Sequence, residues 1–142
     1  MQSTEKTFRI FLAEDDEEMR KFLSQAFQKT GYKVMECSDG VDLLNHLESF
    51  LSSDKEDQKY LNLIVSDIRM PGLTGMEILE GIQNINNFPP MILITSFGDH
   101  ETHSLAERFG AAAIINKPFD IDDLLDKIME TFSQIQHISF IR

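Results

Sequence analysis

Cysteine is nearly absent: Cys37 is the only one in 142 residues. That excludes an internal disulfide framework and a cysteine-based zinc site. Basic residues are scarce beside acidic ones, 13 against 24, and the formal net charge is -11. A surface of that sign repels phosphate backbones and anionic lipid, so no direct binding to nucleic acid or membrane is expected. No apolar run approaches the ~20 residues that cross a bilayer. Glu14, Asp15 and Asp16 come too early to leave room for the apolar stretch of a secretory signal. The expectation is a soluble, cytoplasmic protein. Internal repeats, low-complexity stretches and interdomain linkers are also lacking. What remains has the length of one ordinary domain, and its 42% hydrophobic and 26% charged residues suit a packed core rather than disorder.

Two kinds of segment alternate along the chain. Short apolar runs occupy 8–13, 32–37, 61–65, 91–95 and 111–115. Runs this short and continuous read as strands buried on both faces, as in parallel sheets. Longer segments with helical spacing lie between them. Met19, Phe22, Leu23, Ala26 and Phe27 form one apolar stripe, followed by Gly31 at a C-cap position. Ile121, Leu124, Leu125, Ile128, Met129 and Phe132 form another, with Asp120 as the expected N-cap. Weaker stripes are Val41, Leu44, Leu47, Leu51; Met76, Leu79, Ile82; and Thr102, Leu105, Ala106, Phe109. Five βα units in a row imply an α/β fold, a doubly wound parallel sheet with helices on both faces. The connection 51–60 is long and charged and reads as a solvated insertion.

In such sheets the ligand site lies beyond the C-terminal strand ends. Those ends are chemically loaded: Glu14, Asp15 and Asp16 after the first strand, Ser66 and Asp67 after the third, Thr95 and Ser96 after the fourth, Asn116 and Lys117 after the fifth. Singly, each has an ordinary explanation. Acids after a strand serve as turn or N-cap residues, and Asp16 suits that role. A strand-ending threonine is unremarkable, and a lysine before proline is usually exposed. Together they would place several carboxylates, two hydroxyls and an ammonium in one crevice. Two carboxylates ~4 Å apart repel by roughly 4 kcal/mol at an effective dielectric near 20. A hard cation such as Mg²⁺ relieves that repulsion. An oxygen-rich site facing one lysine suits phosphoryl transfer to a carboxylate.

The segments Ile10-Phe11-Leu12-Ala13-Glu14-Asp15-Asp16, Val65-Ser66-Asp67-Ile68-Arg69-Met70-Pro71-Gly72-Leu73-Thr74-Gly75, Ile92-Leu93-Ile94-Thr95-Ser96 and Asn116-Lys117-Pro118-Phe119 resemble the receiver domain of two-component response regulators. The resemblance runs from about Phe8 to Phe132. It implies a flavodoxin-like strand order 2-1-3-4-5, and it suggests a domain over 8–133, with 1–7 as an extension and 134–142 as a tail or the start of a linker. It also implies that Asp67 accepts the phosphoryl group. Glu14 and Asp15 would organise Mg²⁺ together with Asp67 and the backbone carbonyl of Arg69. Lys117 would contact the phosphoryl group ahead of a cis Lys117–Pro118 bond, and Thr95 would be the switch hydroxyl. The donor would be a sensor histidine kinase or a histidine phosphotransfer protein. The phosphorylated state would reshape the surface of the fourth helix, fifth strand and fifth helix, which meets a downstream effector. The domain would be a signalling switch that promotes its own phosphorylation and dephosphorylation rather than an enzyme. Phosphorylation-dependent dimerisation stays open.

One position departs from the family pattern. Ile114 stands where many receivers carry an aromatic residue that turns inward with the threonine. Either Thr95 and backbone movement carry the change, or the output is altered. Arg69 and Phe97 occupy positions that tune phosphoryl lifetime in the family, and the expectation is that they shield the group from water. A hydrolase working through an aspartyl phosphate would want a second acid just after its nucleophile, where Ile68 and Arg69 stand. A flavin-binding domain would need a phosphate loop where Glu14, Asp15 and Asp16 lie. A receiver-like module that is never phosphorylated is disfavoured by the intact set Glu14, Asp15, Asp67, Thr95 and Lys117. His100 and His103 lack an evident third metal ligand and read as surface residues, and Cys37 reads as a small buried hydrophobe.

Overall fold

The computed structural model describes residues 6–51, 59–85, 88–96 and 99–141, for 137–141 the backbone alone. The strands are β1 (Thr7–Ala13), β2 (Lys33–Cys37), β3 (Tyr60–Asp67), β4 (Met91–Thr95) and β5 (Ala113–Asn116). The helices are α1 (Glu17–Thr30), α2 (Gly40–Leu47), α3 (Gly75–Ile82), α4 (His100–Arg108) and α5 (Ile121–Ile141), with a 3₁₀ turn at Glu48–Leu51. All strand pairs are parallel, in the order β2-β1-β3-β4-β5. This is the doubly wound α/β architecture expected from the alternating pattern.

Strand side chains alternate between faces, so each inner strand feeds two cores. Ile10, Leu12, Leu63, Val65, Ile92 and Ile94 pack with Leu23 and Phe27 of α1 and Leu124, Ile128 and Phe132 of α5. Phe11, Ala13, Ile64, Met91 and Leu93 pack with Leu43 and Leu47 of α2, Ile78, Leu79 and Ile82 of α3, and Ala106 of α4. Burial on both faces holds for β1, β3 and β4. The edge strands differ: Val34 and Met35 in β2 are half-buried, Lys33 and Glu36 are exposed, and β5 is half-buried up to exposed Asn116. An edge strand has a neighbour on one side only, so helices cover it less completely.

Strand limits also shift in ways that matter for the site. β3 runs two residues beyond the apolar run, because Ser66 and Asp67 keep pairing with Leu93 and Ile94. β5 starts later than its run, since the Ala111 N–H closes α4 on the Ala106 carbonyl. The stripe Val41, Leu44, Leu47, Leu51 is corrected: Val41, Leu44 and Leu51 are exposed, and Leu43 and Leu47 face the core. Phe22 and Met129 likewise point outward, while Ser24 and Thr131 are buried. α5 continues unbroken through 134–141, so no helix end marks the expected boundary at 133. Most of the charged connection, 52–58, lies outside the described residues.

Local chemistry fixes the helix ends. The Asp16 carboxylate accepts the Glu18 and Met19 N–H groups at 3.0 and 3.2 Å and starts α1. Gly31 closes that helix at φ 106°, a conformation that favours glycine. The expected cap at Asp120 is seen through its backbone, whose carbonyl accepts the Asp123 and Leu124 N–H groups. Thr74 and Glu77 form a reciprocal capping box that starts α3.

Gly40 sits against the loop before α3, and a Cβ there would overlap the Leu73 carbonyl oxygen, whereas a Cβ on Gly81 meets nothing within 4 Å. Gly40→Ala is therefore expected to destabilise the domain by about 1–3 kcal/mol as the backbone shifts to relieve the overlap. Gly81→Ala in the exposed last turn of α3 should be neutral or stabilising, by up to about 1 kcal/mol. Urea denaturation of the two variants checks both signs.

Candidate functional site

The parallel order brings the C-terminal ends of β1, β3, β4 and β5 to one rim. Glu14 and Asp15 follow β1, Asp67 ends β3, Thr95 ends β4 and Lys117 follows β5. One carboxylate oxygen each from Glu14, Asp15 and Asp67 lies within 4.8 Å of the other two. The Lys117 ammonium donates to Asp67 Oδ2 at 2.7 Å and to Glu14 Oε1 at 3.2 Å. Asp67 Oδ1 accepts the Arg69 N–H at 3.1 Å. Glu14 Oε2 accepts the Asp16 N–H at 3.2 Å.

Exposure separates these groups. Glu14 is 2% exposed, Asp67 6% and Thr95 2%. Asp15 and Arg69 face solvent, and Lys117 is half-buried. The site is thus two sunken carboxylates and a hydroxyl residue beneath an open acid. The Lys117 N–H donates to the Thr95 carbonyl at 2.7 Å, fastening the lysine's backbone to the end of β4. The Lys117–Pro118 bond is cis.

Burial lifts the Glu14 carboxyl from its ordinary 4.5 to about 7; the Asp16 N–H and Lys117 oppose the rise, and the Asp67 charge adds to it. For Lys117 the largest influence is also burial, which lowers its pKa. Its bonds and attraction to Asp67 and Glu14 outweigh that and leave it above the usual lysine value.

Several supporting contacts are not apparent from the sequence. Arg20 folds over the rim: Nη1 donates to the Glu14 carbonyl at 2.9 Å and Nε to Glu36 Oε1 at 3.3 Å. Ser66 Oγ donates to the Asp67 carbonyl at 2.9 Å, and the Gly75 N–H donates to the Ile68 carbonyl at 2.9 Å. A Cβ on Gly75 would stand 2.5 Å from the Asp67 carbonyl oxygen, so α3 can begin this close to β3 only with glycine there. Ile114 packs against the core on the α2–α3–α4 side. Ser96 is exposed, and Phe97 lies outside the described residues. His103 Nε2 meets Asn116 Oδ1 at 3.0 Å, linking α4 to the end of β5, while His100 is exposed.

Residues 10–129 match the response regulator receiver domain. The chain belongs to that family. It is 34% identical over 120 residues to the C4-dicarboxylate transport transcriptional regulatory protein DctD of Pseudomonas aeruginosa, covering 84% of this chain but 24% of that protein. The chain therefore spans about a quarter of the length of this relative. It is 30% identical to the response regulator receiver protein CpdR of Brucella abortus, covering 84% of this chain and 92% of that one. A CheY-like receiver domain structure from Methanospirillum hungatei superposes with a TM-score of 0.77 at 26% identity, covering 93% of this chain and 98% of that one. The domain is a phosphoacceptor signalling module, and its strand order is that of its structural neighbours. No helix among the described residues is long and apolar enough to cross a membrane.

The raised Glu14 value has a consequence for stability. The folded state holds this proton up to about 7, whereas the unfolded chain releases it near 4.5. Between those values the folded state binds more protons, so the Glu14 contribution is present at low pH and is lost as pH rises through that window. In chelator, the denaturation midpoint should therefore carry a downward slope from this group. Glu14→Gln should flatten the slope, which parallel denaturant titrations across that range would show.

Proposed function

We propose that Asp67 is the phosphoacceptor, with Glu14, Asp15, Asp67 and the Arg69 carbonyl holding Mg²⁺, Lys117 contacting the phosphoryl oxygens and Thr95 acting as the switch hydroxyl. The observation that carries this reading is the double hold of Lys117 on Asp67 and Glu14, at 2.7 and 3.2 Å, within a three-carboxylate cluster. The donor set suits Mg²⁺. Octahedral bonds of ~2.1 Å put neighbouring oxygens about 3 Å apart and opposite ones about 4.2 Å apart. That matches carboxylate oxygens gathered within 4.8 Å. When bound, the ion neutralises the cluster and the charge that builds on the transferring phosphoryl group.

The chain's own residues do the rest. An Asp67 oxygen forms a bond to phosphorus as the phosphorus–nitrogen bond of a donor phosphohistidine breaks, and the electron pair leaves with the imidazole. Lys117 supplies a fixed positive charge where phosphoryl oxygens would sit, preorganised by Glu14 and Asp67. Near-complete burial keeps the Asp67 carboxylate little hydrated, which favours its attack on a donor pressed against the rim. Hydrolysis of the aspartyl phosphate by the same groups completes the cycle. Arg69, exposed two residues after Asp67, would cover the phosphoryl group from outside.

The phosphoryl group adds about 1.5 to 2 negative charges at the rim. Thr95 and Lys117 are joined through the 2.7 Å backbone bond, so both respond together. The expected readout is a population shift on the α4–β5–α5 face, where an effector domain or protein would dock. A sensor histidine kinase or phosphotransfer protein is the proposed donor, and the acidic net charge fits a cytoplasmic module without its own nucleic-acid contact.

Incubation with Mg²⁺ and a small acyl phosphate, read by intact mass, should add one phosphate. Asp67→Ala or chelator should abolish the gain; no gain in the unaltered protein, with donor kinase also tested, would sink the assignment. Lys117→Ala should bind Mg²⁺ as before yet slow phosphoryl transfer on the order of 10²-fold, the usual cost of removing one preorganised transition-state contact. Loss of Mg²⁺ binding in that variant, followed by metal titration, would show that the roles are misassigned.

A further inference from the structure

A second group of metal-ligating side chains meets on the α2 side of the sheet, apart from the carboxylate cluster. Cys37 ends β2 and is fully buried. Asp42 and His46 stand one helical turn apart on α2 and are partly exposed. Cys37 Sγ is 3.7 Å from His46 Nδ1, and that nitrogen is 3.5 Å from Asp42 Oδ1. One ligand atom from each residue lies within 4.8 Å of the other two. Zn–S bonds of ~2.3 Å and Zn–N or Zn–O bonds of ~2.0 Å place tetrahedral sulfur and nitrogen about 3.5 Å apart, and nitrogen and oxygen about 3.3 Å apart. The observed spacings are close to that.

We propose that Cys37, Asp42 and His46 form a binding site for a thiophilic divalent cation of the zinc type, with the fourth position open to water. Three features support it beyond the spacing. The Ser38 N–H donates to Asp42 Oδ2 at 3.0 Å, holding the carboxylate with Oδ1 turned toward His46. The ligands come from a strand end and a helix, not from a loop. A thiolate and a carboxylate together neutralise a divalent charge, so the bound complex is uncharged where it is buried.

Burial, and then the Asp42 and Asp39 charges, push the Cys37 thiol up to about 12, so without a cation it stays protonated. Binding therefore breaks the S–H bond, forms a sulfur–metal bond and releases one proton to solvent. His46 Nδ1 carries the hydrogen in its 2.8 Å contact with the Asp42 carbonyl; on binding, that N–H bond breaks, the proton is taken up at Nε2 through solvent, and the neutral ring gives its Nδ1 lone pair to the metal with no further net proton release. The proposal revises the exclusion of a cysteine-based zinc site. One cysteine cannot build a site alone, but it can complete a mixed one.

The test uses the full chain with Mg²⁺ in excess to occupy the oxygen cluster, and Co²⁺ as the probe. Because the chain holds one cysteine, thiolate-to-cobalt charge-transfer absorption can arise only at Cys37. One equivalent of Co²⁺ should produce that band with release of one proton, and Zn²⁺ should displace it. Cys37→Ser should abolish the band, and Asp67→Ala should keep it. His46→Gln and Asp42→Asn, both at partly exposed positions, should each weaken cobalt binding by at least about tenfold. Absence of the band in the unaltered protein would overturn the proposal. So would a band whose affinity is the same in His46→Gln and Asp42→Asn, since that would mean a thiol binding without its neighbours.

Discussion

Everything at the rim depends on Lys117 standing between two sunken carboxylates. Without it, Glu14 and Asp67 would be like charges in a poorly hydrated crevice. At ~4 Å such a pair repels by roughly 4 kcal/mol at an effective dielectric near 20, a large part of a domain's net stability. The lysine reaches Asp67 across 50 residues of sequence and Glu14 across 103. Only a parallel sheet with β1 and β3 adjacent and β5 two strands away can deliver those three residues to one edge. The compensation is incomplete. Glu14 still rises to about 7, chiefly because burial strips water from its carboxylate and secondarily because Asp67 repels it. A protein selected for stability alone would have an apolar residue there.

The fold was legible in the sequence because its inner strands have no exposed face. β1, β3 and β4 each carry a short continuous apolar run, 10–13, 63–65 and 91–94, that ends in polar residues, and runs of that length leave few alternatives. Helix faces were harder to read. In the segment Val41-Asp42-Leu43-Leu44-Asn45-His46-Leu47, one stripe joins Val41, Leu44 and Leu47 while another joins Leu43 and Leu47. Periodicity alone cannot choose between them. The choice is made by Asp39, which caps the helix, and by Gly40, which lies against Leu73 and so sets the helix's rotation. Phe22 and Met129 mislead for a similar reason, since each lies at the margin of a broad stripe. The candidate site was legible as a set of strand-end residues. Arg20 and Gly75 were legible only as residue types within the resembling stretch; what they do was not, because they act through the backbone of Glu14 and Asp67, and a backbone contact leaves no pattern in side-chain types.

The two clusters are closer in the hydrogen-bond network than in chemistry. The Glu14 N–H donates to the Cys37 carbonyl at 3.2 Å, so the first residue of the oxygen cluster hangs from the cysteine of the other. Arg20 spans the same gap, with one nitrogen on the Glu14 carbonyl and another on Glu36. On the proposed reading, a cation held at Cys37 would stiffen the rung that carries Glu14.

Ile114 bears on how the rim would communicate outward. An aliphatic side chain packed on the α2–α3–α4 core has no hydroxyl or ring edge to exchange between an inner and an outer partner. A connection that remains runs through Asn116 and Lys117. Lys117 is tied by its side chain to Asp67 and by its N–H to Thr95, and the preceding Asn116 is tied by its side chain to His103 on α4. One peptide unit therefore separates a group that feels charge at the acid from a group that holds a helix. A shift of the Lys117 backbone by a few tenths of an ångström moves Asn116 with it. A bond of 3.0 Å tolerates little lengthening before it weakens. On the proposed reading, the connection from rim to surface in this chain would be polar and made at the end of β5, near the position where many receivers carry an aromatic residue.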